Sequence, residues 1–277
     1  MSMTGAFPKA SLPGDVIIQV STTFARGGEA YAKTVVCLGD TAPVDDVEIV
    51  CVDTEHDLFD TWAALLRRER TDVMIGWNTA QFDWVYLHGR SMVCADDATG
   101  DSLFDLKALG RMVVGGGEVI ERQLKSSAYG DNAFSELATP GVLNIDVMQW
   151  FRKNRQHDSY SLQNISKEYL GDQKLDLPAH EIFRKFKGTP QDRADIAAYA
   201  VKDTELPLRL LGKLNVLPDL FEMANAVRIP VAYVQDRGQQ ASLLTFAIVC
   251  THHHRYGLLA PHANLLSLLT RFAGPSI

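Results

Sequence analysis

Asp72-Val-Met-Ile-Gly76-Trp77-Asn78-Thr-Ala-Gln-Phe82-Asp83-Trp-Val-Tyr-Leu87 changes its periodicity partway along, and that change decides the fold. Asp72 to Trp77 is a short apolar run of strand character. From Phe82 to Arg90 the pattern is helical, so Asp83 falls just beyond a strand's carboxyl end. In open α/β sheets polar chemistry collects there, because strand ends splay and the next helix offers free backbone donors. Working outward, Val16 to Phe24, Lys33 to Leu38 and Val47 to Asp53 read as strands. Leu58, Phe59, Trp62, Leu65 and Leu66 then trace one apolar helix face. Strands alternating with helices predict an α/β chain built on a mixed sheet with flanking helices.

The second informative stretch is Tyr199-Ala-Val-Lys-Asp203. Thr189-Pro190-Gln191-Asp192 ahead of it supplies an N-cap, a proline at the first helical position and an acid in the first turn. Residues four apart share a helix face, so Tyr199 and Asp203 point together into whatever that helix borders. Two acids and a phenol, with Asp83 as the second acid, can hold metal ions and aim a water at a phosphodiester.

Asn78 to Asp83 resembles the second exonuclease motif of B-family DNA polymerases, and Tyr199 to Asp203 resembles the third. Tyr160-Ser-Leu-Gln-Asn-Ile-Ser166, Leu170-Gly171-Asp-Gln-Lys174 and Leu206-Pro-Leu-Arg-Leu-Leu211 follow the delta-type replicative polymerases of eukaryotes and large DNA viruses. So does Arg237-Gly238-Gln239-Gln240, which in that family opens the palm. The resemblance runs from about Phe7 to about Pro261 and leaves Asn264 to Ile277 uncovered.

The resemblance implies a ribonuclease H-like 3′-5′ exonuclease domain over 1–212. Residues 213–277 would then be the mainly helical start of the palm and a divergent tail. Asp83 would ligate one Mg2+ (or Mn2+) ion, Asp203 the other, and Tyr199 would orient the attacking water. Asn78, Phe82, Arg237, Gly238 and Gln239 would contact DNA, as primer-template or as a single-stranded 3′ end. The family's first acid pair, an Asp-x-Glu, sits on a strand directly before the segment matching Gly5-Ala-Phe7-Pro8-Lys9. That strand is expected to be absent, which would leave these residues inactive alone. The catalytic acids of polymerisation come later in the family's sequence, so deoxynucleotide chemistry is expected only of a longer parent. Accessory subunits, a sliding clamp and a nuclear or viral replication site are further implications.

Val52-Asp53-Thr54-Glu55 also spells Asp-x-Glu, and two readings of it stand. A self-contained exonuclease would use Asp53 and Glu55 as its acid pair. Alternatively, the two acids cap the following helix. The thirty residues between Asp53 and Asp83 hold one helix and one strand. The family places two more strands between its acid pair and that helix, and those match the two strands ahead of Val47. A third possibility is a module that binds DNA without chemistry.

A net charge of −7 with 46% hydrophobic and 22% charged residues fits a soluble globular protein with acidic metal sites. Phosphate contacts would fall to Arg67-Arg68-Glu69-Arg70, Arg152-Lys153-Asn154-Arg155 or Arg184-Lys185-Phe186-Lys187, each equally readable as a solvated helix face. No run of eighteen apolar residues and no basic leader exist, so the expectation is an intracellular protein without a membrane span. Cys37, Cys51, Cys94 and Cys250 lack zinc spacing and read as reduced packing residues. His252-His253-His254 reads as a surface run. Tyr129-Gly130-Asp131-Asn132 echoes a polymerase metal motif but is better read as a hairpin tip between the strands Gly117 to Arg122 and Val142 to Asp146. Asp146 would be a supporting acid near the cleft or the cap of a helix from Val147 to Arg152. Asp158 or Ser159 should cap the helix carrying Leu162, Ile165, Tyr169 and Leu170, with Gly171 ending it.

Overall fold

A computed structural model describes residues 8–93, 105–112, 117–126, 130–172 and 177–236. Contacts divide the chain into two units, Met1–Lys213 and Leu214–Ile277.

In the first unit, β1 (Gln19–Arg26) and β2 (Glu29–Leu38) pair antiparallel, and β3 (Glu48–Val52) adds parallel to β2. Gly27 and Gly28 close the hairpin at φ +61° and +90°, a left-handed pair that glycine adopts without steric cost. Adjacent residues of β2 are buried on opposite faces. Val36 packs with Phe24 against α1 (Glu55–Arg68), where Leu58, Phe59, Trp62, Leu65 and Leu66 form the predicted apolar stripe. Val35 and Cys37 pack on the other face against Ala197 and Val201 of α6 (Pro190–Lys213). The sheet is thus covered on both sides at β2, which is why Val35, Val36 and Cys37 run apolar in both phases. Burial pushes the Cys37 thiol up to about 11. Cys51, by contrast, is exposed rather than packed, and Cys94 and Cys250 lie outside the described residues.

β4 (Val73–Gly76) pairs parallel with β7 (Leu143–Asp146), aligning Gly76 with Asp146. The hairpin differs from expectation. β5 (Val119–Ser126) pairs with β6 (Gly130–Leu137), so the returning strand is β6, while Val142 to Asp146 belongs to β7 beside β4. The eight residues of β6 pair with β5 along its whole length, and they precede the more strongly apolar run that sequence reading favoured. The described strands therefore form three small sheets, β1-β2-β3, β4-β7 and β5-β6, and not one continuous sheet.

Helix boundaries follow local chemistry. Thr54, between the two acids of Val52-Asp53-Thr54-Glu55, is the cap of α1, accepting from the Asp57 amide at 3.0 Å. α2 runs Asp83–Val93 and α3 Val147–Asn154. α4 (Leu162–Leu170) is capped by Ser161, not by Asp158 or Ser159, because Ser161 Oγ reaches the Asn164 amide; Ser159 Oγ instead accepts from the Ser161 amide. Gly171 ends α4 at φ +64°. After α5 (Ala179–Phe186), Thr189 and Asp192 cap each other's amides at 2.9 and 3.2 Å and start α6 where predicted. In the second unit, α7 (Val216–Val227) buries Val216, Leu220, Ala224 and Val227, and α8 (Val231–Asp236) follows Pro230. No helix among the described residues is long and apolar enough to cross a membrane.

Candidate active site

The turn leaving β4 carries the second-motif residues. Asn78 takes left-handed φ +63°, a conformation asparagine tolerates better than most residues. Its carbonyl accepts from the Gln81 and Phe82 amides, both at 3.2 Å, and the Thr79 carbonyl accepts from Trp84 at 3.1 Å, winding the chain into α2 with Asp83 first. Glycine at 76 makes room for Thr79, since a Cβ there would sit 2.2 Å from Thr79 Cγ2 and force that side chain to shift. Asp146, at the end of β7, holds the turn from below. Its Oδ1 accepts from Asn78 N at 3.0 Å and its Oδ2 from Ala80 N at 3.1 Å.

Asp83 is open to solvent at its surface yet crowded by protein around its carboxyl. That crowding, with the Asp146 charge as a smaller contribution, pushes its pKa up to about 6. Asp146 is raised by the same desolvation, opposed by the amides that donate to it. Asn78 Oδ1 is buried and meets no hydrogen-bond donor among the described residues. Phe82 is 37% exposed and stacks on Tyr86 at 5.8 Å, so it is available to pack a planar group.

Contacts along α6 show how the helix carrying the third motif is seated. Glu205 pairs with Lys33 of β2 at 2.5 Å, and Thr204 Oγ lies 2.7 Å from Thr23 Oγ of β1. Val201 packs on β2, and at about 100° per helical step Asp203 lies about 200° round from it, on the face of α6 turned away from that sheet. Tyr199 shares that face, and α6 also packs against β4, the strand leading into Asn78. On α6's far side, Lys202 and Arg209 share the Asp172 carboxylate. α6, which carries Tyr199 and Asp203, thus touches β4, the strand from which the chain turns into Asp83 and α2. Among the described residues, no three His, Cys, Asp or Glu side chains are gathered as a metal site.

The remaining predicted residues are placed as follows. Arg237, Gly238 and Gln239 lie outside the described residues, as do the His252 run and Tyr129. Two of the basic segments spend charge internally. Arg68 is paired with Glu48 and Glu69, Arg184 with Glu181, and Lys185 with Asp192 and Asp195. Arg152 lies over the Tyr160 ring at 5.7 Å. Glu55 accepts from Arg90 on both oxygens and from Ile17 N at 2.7 Å. Sequence reading missed Arg90 and the Ala80 backbone. A cation on a helix face otherwise packed inward was the available signal for the first, and none existed for the second.

The profile described as "DNA polymerase family B, exonuclease domain" matches residues 1–165, more than half of the chain, and the chain belongs to that family. Related proteins agree. A "DNA polymerase" of Paramecium bursaria Chlorella virus NY2A is 57% identical over 273 residues, covering 98% of this chain and 30% of the viral protein. The "DNA polymerase delta catalytic subunit" of Oryza sativa subsp. japonica is 29% identical over 87% of this chain and 21% of its own length. The Caenorhabditis elegans protein of the same name is 30% identical over 94% and 23%. The chain therefore spans less than a third of the length of these relatives.

Proposed function

We propose that this region is the proofreading exonuclease portion of a replicative DNA polymerase, removing mispaired nucleotides from a DNA 3′ end. The observation that supports the reading is that α6, with Tyr199 and Asp203 on one helix face, packs on both β1 and β4, and β4 leads into the turn before Asp83. Asp83 and Asp203 offer the hard oxygen donors that Mg2+ or Mn2+ takes. A crowded Asp83 carboxyl with a raised pKa, and an Asn78 Oδ1 in the preceding turn that meets no donor among the described residues, fit a segment that takes a cation. The donors suit the ion in kind but fall short in number, so a complete two-ion site draws further carboxylates from outside the described residues. When bound, such ions would supply activation of a water and stabilisation of the leaving 3′ oxygen. The chain's own residues would orient that water through the Tyr199 hydroxyl and hold the terminal nucleotide against Phe82 and Asn78, with stacking worth about 1 to 3 kcal/mol per base.

In the finer fold reading, β3-β2-β1 and β4-β7 are two parts of one ribonuclease H-like sheet. Residues 1–212 form this domain and 213–277 begin the palm, with Arg237, Gly238 and Gln239 on the DNA. Polymerisation from deoxynucleotides, accessory subunits or a sliding clamp, and a nuclear or viral replication site belong to the same proposal. A self-contained enzyme using Asp53 and Glu55 is disfavoured because Arg90 occupies both Glu55 oxygens.

The test is degradation of single-stranded DNA with magnesium, by the chain and by a form extended upstream by some tens of residues. Activity in the extended form, abolished by Asp83→Ala or Asp203→Ala, supports the proposal. Equal digestion by those variants overturns the assigned roles. DNA binding without degradation in every form would indicate a non-catalytic module.

A further inference from the structure

Asp146 spends one carboxylate on two elements. Its Oδ1 accepts from Met148 N at 3.0 Å and Gln149 N at 3.4 Å, capping α3, and also from Asn78 N at 3.0 Å. Its Oδ2 accepts from Ala80 N at 3.1 Å. The group is 6% exposed, so these amides replace the water it has lost. A cap needs only the α3 amides. Reaching across to Asn78 and Ala80, 68 and 66 positions away in sequence, ties the turn before Asp83 to the first turn of another helix. Without that anchor, the backbone hydrogen bonds left to Asn78 and the three residues after it, among the described residues, are those within the turn and its entry into α2 and one from the hairpin, Ser135 N to Ala80 O at 2.9 Å.

We propose that Asp146 is a positioning residue for the exonuclease site, fixing the Asn78–Ala80 turn and through it the place of Asp83, without itself holding a metal ion. Its four amide donors leave little capacity for a cation, whereas Asp83 is open to solvent. Anions held by backbone amides at a helix start are also well suited to an anchor that must keep one geometry. This inference rests on the proofreading reading above and adds a residue to it.

The experiment compares Asp146→Ala, Asp146→Asn and Asp83→Ala, with Thr54→Ala as a control that removes the cap of a different helix. Amide hydrogen exchange on the chain reads the turn directly. Single-turnover digestion of a 3′-mismatched primer, in the upstream-extended form, reads the chemistry. Asp146→Ala should speed exchange at Asn78 and Ala80. It should also lower kcat about 10- to 100-fold, the range typical for partners that orient metal ligands, with KM for DNA changed little. Asp146→Asn, which keeps an acceptor in place, should recover part of both, and Thr54→Ala should leave both unchanged. If Asp146→Ala does not fold, the Asp146→Asn comparison decides alone. Parent-like kcat in Asp146→Asn with deprotected Asn78 and Ala80 amides, or a KM effect without a kcat effect, overturns the positioning role. Loss of the proofreading reading itself looks different: Asp83→Ala then digests as fast as its parent, while Asp146→Ala still deprotects the turn.

Discussion

Arg90 and Glu55 form a two-pronged ion pair inside the protein, Nε to Oε1 at 2.9 Å and Nη2 to Oε2 at 2.6 Å, with the side chains 2% and 8% exposed. The same guanidinium donates to the Ala10 carbonyl at 3.1 Å and the Leu12 carbonyl at 2.8 Å, and Ile17 N donates to Glu55 at 2.7 Å. One buried pair therefore clasps α1, α2 and the segment leading into β1.

Removing one partner strands a buried charge, which costs about 3–5 kcal/mol. Glu55→Leu is expected to lose about that much in urea unfolding of the chain. The double variant Glu55→Leu/Arg90→Met should lose clearly less, since neither charge is then orphaned. An additive double variant would show that the pair is not coupled.

Gly76 gives a second double-variant test, this time of a close approach. An alanine Cβ there meets the Thr79 methyl at 2.2 Å but stands 3.5 Å from Thr79 Cβ and 3.7 Å from its hydroxyl. Gly76→Ala alone should destabilise by about 1–3 kcal/mol, the usual range for overpacking. Thr79→Ser removes only the offending methyl and should restore most of that loss. The measurement is thermal or urea unfolding of all four proteins, and a Thr79→Ser background that rescues nothing counts against the stated contact.

Why some of this was legible in the sequence and some not follows from the range of the interactions. The junction at Asp83, the start of α6 at Thr189 and the stop at Gly171 are written in neighbouring residues, and the structure places them as expected. The cap of α4 was missed by two positions because Asp158, Ser159 and Ser161 are all competent, and only backbone geometry chooses Ser161. The β5–β6 pairing was misassigned because Val142 to Asp146 is the more apolar run, yet its partner is β4, some 70 residues earlier. Glu55 looked like a metal ligand or a cap because its actual partner, Arg90, is 35 residues away. Family resemblance supplied the roles of Tyr199 and Asp203; composition and spacing gave only their shared helix face.

The seat of α6 on the sheet can be probed at Thr204. Its hydroxyl lies 2.7 Å from Thr23 Oγ and donates to the Val201 carbonyl at 2.9 Å. Thr204→Val keeps the shape and removes the link to β1, which should cost about 0.5–1.5 kcal/mol, the net worth of one such hydrogen bond. If the proposed roles of its neighbours hold, the extended form should also lose exonuclease rate, because Asp203 shares that stretch of helix. A full-rate enzyme with the expected stability loss would mean that the seating of Asp203 does not depend on Thr204.

Asp83 makes a prediction whose sign is unambiguous. Its folded pKa of about 6 lies above the ordinary carboxylate value, so the folded state binds its proton more tightly than the unfolded state does. Stability associated with that proton is fully present below about pH 4 and is lost as pH rises through about 6, the reverse of the usual salt-bridged carboxylate. Asp83→Asn, neutral at every pH, should therefore melt higher than its parent at pH 7, with the difference shrinking toward pH 4. Magnesium should act unequally on the two proteins if Asp83 is a ligand. A cation bound near the carboxylate favours its ionised form and stabilises the folded parent by mass action, while leaving Asp83→Asn nearly unmoved. Melting curves at pH 4 and 7, with and without millimolar magnesium, separate the two effects. A variant that gains nothing at pH 7 would show that the crowded carboxyl carries no strain, whatever its part in the chemistry.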